Sequence, residues 1–245
     1  SEGISNMVES LEILRRKGFS VNSRCGLHYH FGLKSICRNS KVDDVVSFLS
    51  RLNQSVLNYQ GCLFGSQGSR RDRNSYCPPL SPSESLINYS MEVMEKGKGN
   101  KSFSDFRNLY GSSRKYRILN ISKLSGGIDG ENSSIEFRYP SGSLSEKKFL
   151  LNLVIMVWII RQSWVDRHGR KGSDSISWDM KKGFQKESNK RKEGILSYQF
   201  LSRKIKNSIR GKWLKYENEY LYKNWDSLFM EWERLSKKYD EKYNS

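Results

Sequence analysis

Ser23-Arg24-Cys25-Gly26-Leu27-His28-Tyr29-His30-Phe31-Gly32 and Ser133-Ser134-Ile135-Glu136-Phe137-Arg138-Tyr139 read as two short strands built on one scheme. Successive side chains of a strand point to opposite faces, so His28 and His30 share one face while Leu27, Tyr29 and Phe31 take the other. Glu136 and Arg138 share a face in the same way, opposite Ile135, Phe137 and Tyr139. With both strands in one sheet and their apolar faces against helices, two imidazoles, a carboxylate and a guanidinium line the open face. Such a group of side chains suits a metal ion and a phosphate.

Working outward, Met7, Leu11 and Leu14 at helical spacing predict a helix over Ile4 to Lys17, with Gly18 as its C-terminal stop. Ser40 precedes Val42, Val45, Val46, Leu49, Leu52 and Val56, and Asp43 stands three residues after it in a capping-box-like position. This is a second, longer amphipathic helix. Gly61 to Pro82 is rich in Gly, Ser, Arg and Pro and has no period, so a loop is expected, with Gln67-Gly68-Ser69-Arg70-Arg71-Asp72-Arg73 as its basic tip. Glu95 to Asn100 is another break. Arg114 to Leu124 has Leu119 and Ile121 on one side and Asn120 and Ser122 on the other, which predicts a strand. The turn Gly126 to Gly130 joins it to the Ile135 strand as a hairpin.

Ser145 caps an apolar helix that runs to about Val165. Its longest apolar run, Phe149 to Ile160, is interrupted by Asn152 and closed by Arg161, well short of the roughly 20 residues a bilayer requires. It reads as a buried helix, and no transmembrane segment is expected. The composition shifts at Asp166: residues 166–195 form a basic linker, and 196–245 a helical extension with Leu214, Leu221, Trp225, Leu228, Phe229, Trp232 and Leu235. These aromatics at helical spacing favour core or interface over a platform for stacked bases, although Trp178, Phe184, Trp213 and Tyr216 among the basic residues suit RNA.

The 245 residues carry 43 Lys and Arg against 26 Asp and Glu, a formal charge of +17. That surface attracts polyanions and says nothing of fold. Cys25, Cys37, Cys62 and Cys77 have no paired close spacing, which fits a reducing, intracellular compartment. Zinc at Cys25, His28, His30 and Cys37 is disfavoured because Cys25 faces away from the histidines on a regular strand. No signal peptide is visible, and a chain that opens on Ser1 is expected to be trimmed or part of something longer. Abundant Ser, Asn, Lys and Tyr with scarce Pro suit an AT-rich, mitochondrial genome.

Taken in order, Cys25 to His30, Ser69-Arg70 with Tyr76-Cys77-Pro78, Tyr116 to Asn120, and Ile135 to Arg138 with Gly142-Ser143-Leu144 resemble the motifs of the amidoligase family. These carboxylate-amine ligases are related to glutamine synthetase and glutamate-cysteine ligase. The resemblance covers about Gly3 to Val165 and implies an amidoligase-like domain over 1–165. It implies an α+β fold, an antiparallel sheet with helices packed on one face, followed by the helical extension.

It also implies that ATP activates a carboxylate as an acyl phosphate, which an amine attacks to give an amide, with magnesium bridging the phosphates. By the same resemblance His28 and Glu136 are metal ligands, and His30 lies against the nucleotide. Arg138 holds a phosphate or carboxylate, and Arg70 with Arg71 or Arg73 stabilises the transferring phosphoryl group. Family members begin with a Glu-x-Glu strand that completes the magnesium cage, and no such strand appears near the beginning here. The expectation is therefore half an active site, the missing strand removed or supplied by a second polypeptide. The alternative is a non-catalytic subunit of an RNA-protein complex such as an organellar ribosome, with ATP and magnesium no longer used.

Overall fold

The computed structural model describes residues 2–22, 24–37, 42–67, 76–80, 117–123, 133–165 and 225–243. The arginines Arg70, Arg71 and Arg73, the break at Glu95 to Asn100, the turn at Gly126 to Gly130, the cap Ser40 and the basic linker lie outside them.

Helix α1 spans Glu2–Arg16. Its core-facing stripe is Ile4, Val8 and Leu11, whereas Met7 and Leu14 are 47% and 38% exposed. The apolar stripe is wider than the surface available to it, so the edge carrying Met7 and Leu14 remains in water, contrary to the expected inward face. The predicted stop is present. Gly18 has φ 79, its N–H donates to Arg15 O and the Phe19 N–H to Leu14 O, both at 3.1 Å. This is a Schellman closure, in which a left-handed glycine lets two otherwise orphaned carbonyls accept.

Strand β1 (Tyr29–Gly32) passes directly into the short helix α2 (Leu33–Ile36), and α3 occupies Val42–Gly65. The expected loop from Gly61 therefore starts later. Leu63 and Phe64 are buried and continue the stripe of Leu52, Val56 and Tyr59, so tertiary packing carries the helix past Gly61. Beyond it, Cys77 is buried, and Pro78 O accepts the Ile118 N–H at 3.1 Å.

Strands β2 (Leu119–Asn120) and β3 (Ser134–Phe137) join β1 in a three-stranded antiparallel sheet of order β1-β3-β2. Tyr29 pairs with Phe137, His30 with Glu136 and Phe31 with Ile135, and Asn120 pairs with Glu136 from the other side. Further along, Gly26 bridges Ser141, so two residues of the first chain segment, Leu27 and His28, face three of the second, Arg138 to Pro140. That is a bulge, which bends the strand next to the histidines. Just past it the backbones come close: a Cβ built on Gly142 would lie 2.5 Å from the Cys25 Cβ.

The core lies between the apolar face of the sheet, α3, α4 (Glu146–Val165) and α5 (Trp225–Tyr243). Tyr29 ties the sheet to α4, stacking on Phe149 at 5.4 Å and donating its hydroxyl to Phe149 O at 3.0 Å. Helices α3 and α4 meet through Phe48 with Trp164 and Tyr59 with Trp158, edge-on at 5.2 and 6.0 Å. Leu228, Trp232 and Leu235 of α5 are buried at i, i+4, i+7 spacing, against α3 and α4. Among the described residues no helix is long and apolar enough to cross a membrane. The architecture is α+β, helices with a small antiparallel sheet.

Candidate functional site

The antiparallel register pairs His30 with Glu136, and His28 and Arg138, each one residue beyond the paired strands at the bulge, reach the same Glu136 carboxylate. Glu136 is the centre of that group. Its Oε1 accepts from His28 Nδ1 at 2.9 Å and from Arg138 Nη1 at 2.6 Å, with His30 Nε2 at 3.8 Å. Its Oε2 accepts from Asn120 Nδ2 at 2.5 Å. The face is less open than the alternation suggests. The Glu136 side chain is 4% exposed and that of Arg138 14%, while His28 and His30 form the accessible rim at 34% and 39%.

Burial pushes the Glu136 carboxyl up, but the His28 and Asn120 hydrogen bonds and the Arg138 charge outweigh it, holding it at about 2, well below the usual carboxylate range. It is an anion kept in place by donors. Burial lowers the pKa of His30, against the pull of Glu136, and the nearby charges of Lys123, His28 and Arg138 lower it further. His30 Nδ1 lies 3.4 Å from Ser134 Oγ.

Asn120 belongs to this site by contact, a role the strand pattern alone did not disclose. Its Oδ1 accepts the Ser122 N–H at 2.9 Å, which fixes the amide with Nδ2 turned to Glu136. The signal in the sequence was the position of Asn120 between Ile118, Leu119 and Ile121, where a buried polar residue needs a partner.

A second residue that sequence reasoning passed over is Gln67. Its buried side-chain amide donates to Asn152 Oδ1 and Ser66 Oγ, both at 2.8 Å, and accepts the Ser141 N–H at 3.1 Å. Lys148 Nζ donates to the Gln67 backbone carbonyl at 3.1 Å. Gln67 thus joins the end of α3 to α4 and to the turn after β3. Arg70, Arg71 and Arg73 follow it in the chain outside the described residues.

Magnesium takes oxygen ligands in near-octahedral geometry. The described residues offer one carboxylate, with both oxygens already accepting hydrogen bonds, and two imidazoles. Among them no group of three or more His, Cys, Asp and Glu comes together as a metal site. By themselves they do not fit magnesium. What the arrangement does hold is a pair of imidazoles and a guanidinium, oriented by one buried anion.

No curated protein and no solved structure matches this chain. Residues 1–160 match the family model described as "Putative amidoligase enzyme", and this span contains every residue of the Glu136 cluster. The chain therefore belongs to the amidoligase family.

Proposed function

We propose that this chain is a carboxylate-amine ligase that forms an amide at the polar face of its sheet, using ATP to activate the acid. In that reaction a carboxylate oxygen attacks the γ-phosphorus of ATP, the bond to ADP breaks, and an acyl phosphate forms. The amine nitrogen then bonds to the acyl carbon, phosphate leaves with the C–O bonding pair, and the amine proton passes to a base. One observation carries the reading: residues far apart in the matched span, His28 and His30 with Asn120 and Arg138, converge on the buried carboxylate of Glu136.

Within it, Glu136 orients the Arg138 guanidinium toward a phosphate or substrate carboxylate, the anions a planar fork of N–H groups suits. His30 stands on the rim for the nucleotide, and Arg70, with Arg71 or Arg73, serves the transferring phosphoryl group. The glutamine synthetase and glutamate-cysteine ligase fold, with the domain over 1–165, the linker over 166–195 and the extension over 196–245, is part of the same reading. Oxygen ligands that complete a magnesium cage would come from outside the described residues.

The test is ATP turnover by the full chain with magnesium, a mixture of carboxylic acids and hydroxylamine as amine, read as phosphate and hydroxamate release. Hydroxamate that appears with the native chain and disappears with Glu136→Ala supports the proposal; failure of the full chain and its assemblies to bind ATP overturns it. The charge of +17 favours a second reading, a non-catalytic RNA-binding subunit of a ribonucleoprotein, for which a mitochondrial location is proposed. There RNA affinity falls steeply with salt and Glu136→Ala leaves it unchanged.

A further inference from the structure

Gln67 is 2% exposed and has its backbone and side-chain polar atoms engaged. Its backbone N–H donates to Phe64 O at 3.0 Å, and its carbonyl accepts from Lys148 Nζ at 3.1 Å. In the side chain, Nε2 donates to Asn152 Oδ1 and Ser66 Oγ, both at 2.8 Å, while Oε1 accepts the Ser141 N–H at 3.1 Å. An amide held at so many points cannot shift without stranding a buried donor or acceptor. It acts as a strut with two arms.

One arm ends on Ser141. That residue bridges Gly26, and beside it the Leu27 N–H donates to Pro140 O at 3.1 Å and the Gly142 N–H to Cys25 O at 2.9 Å. The other arm runs through Asn152, also 2% exposed, whose side chain hydrogen-bonds the Tyr29 hydroxyl. Gly26 and Tyr29 bracket Leu27 and His28, the two residues that face three across the bulge. A bulge interrupts the ladder, so backbone pairing by itself does not fix where its side chains are aimed. His28 Nδ1 nevertheless lies 2.9 Å from Glu136 Oε1, the oxygen that Arg138 Nη1 reaches at 2.6 Å. The two arms of Gln67 restrain the bulged segment on both sides of that histidine.

We infer that Gln67 is a positioning residue of the site: through Ser141 and Asn152 it holds the bulge in the shape that brings His28 to the Glu136 carboxylate. The inference takes this face of the sheet to be the site of the ligase reading, but its test reads no turnover, so either can fail without the other.

The test is amide hydrogen exchange and carboxyl-carbon spectroscopy of the full-length, isotope-labelled chain, native and with Gln67→Met, which keeps the length of the side chain and removes its amide. The expected result is exchange about tenfold faster at Leu27, Ser141 and Gly142, the order of one hydrogen bond. The change is smaller at Leu33, whose N–H donates to Ser133 O at 2.9 Å at the other end of the ladder. The Glu136 carboxyl-carbon signal, which senses the donors on that group, shifts in the same variant. Ser163→Ala removes the buried Ser163 to Ser55 bond of 3.3 Å between α3 and α4, and it is expected to leave that signal in place, which separates positioning from helix packing. Equal acceleration at Leu27 and Leu33, or a Glu136 signal that Gln67→Met leaves unchanged, overturns the inference. If that variant does not fold, the native chain decides: a Ser141 N–H protected from exchange supports the inference, and one that exchanges at the rate of an open loop overturns it.

Discussion

At the scale of single residues, the chemistry of the site is set by how many donors surround one acid. Removing the Glu136 carboxylate takes from the Arg138 guanidinium, 14% exposed, the acid that accepts from its Nη1 at 2.6 Å. Glu136→Ala is expected to cost about 3 kcal/mol of folding stability, the order found when one partner of a buried ion pair is deleted. Chemical denaturation measures it. The depressed carboxyl also sets a direction for acid. Its value falls from 4.5 to about 2 on folding, so the unfolded chain takes up the proton first as pH drops. The stabilisation is complete above pH 4.5 and is lost progressively as pH falls toward 2, an effect on the order of a few kcal/mol. Denaturation midpoints across that interval are expected to fall less in Glu136→Gln than in the native chain.

At the scale of elements, close contacts and buried amides hold the strands and helices in register. Gly142 allows the segment after the bulge to approach Cys25: an added Cβ meets the Cys25 Cβ at 2.5 Å and its carbonyl carbon at 3.1 Å. Gly142→Ala must move backbone and is expected to destabilise by about 1–3 kcal/mol. Gly18→Ala meets nothing within 4 Å and loses only the ease of φ 79, so about 1 kcal/mol is expected. Urea unfolding of the two variants separates crowding from backbone strain. Gln67→Ala withdraws the partner of both the Ser141 N–H and the Asn152 carbonyl, and about 1–3 kcal/mol of loss follows from stranding buried polar groups.

At the scale of the whole molecule, the core of the family span is covered by a helix from beyond it. Trp232 of α5 is fully buried, 72 residues past the end of the match at residue 160. Trp232→Ala is expected to cost about 3–5 kcal/mol, read as a lowered thermal midpoint of the entire domain. The period of Leu228, Trp232 and Leu235 made that helix legible, but no pattern in the chain named α3 and α4 as its partners. Alternation in β1 and β3 likewise announced the polar face with its histidines, Glu136 and Arg138, because a period of two needs only local sequence. Asn120 was legible as a polar residue in an apolar strand, but its bond to Glu136, the contacts of Gln67 and the bulge were not, since each is defined by a partner many residues away. The amino-acid order by itself determined which side chains share a face, where α1 stops and what family the motifs resemble. Only the tertiary structure decided that Glu136 is buried under three donors, because that depends on the pairing of β3 with both β1 and β2, a long-range contact that no local period encodes.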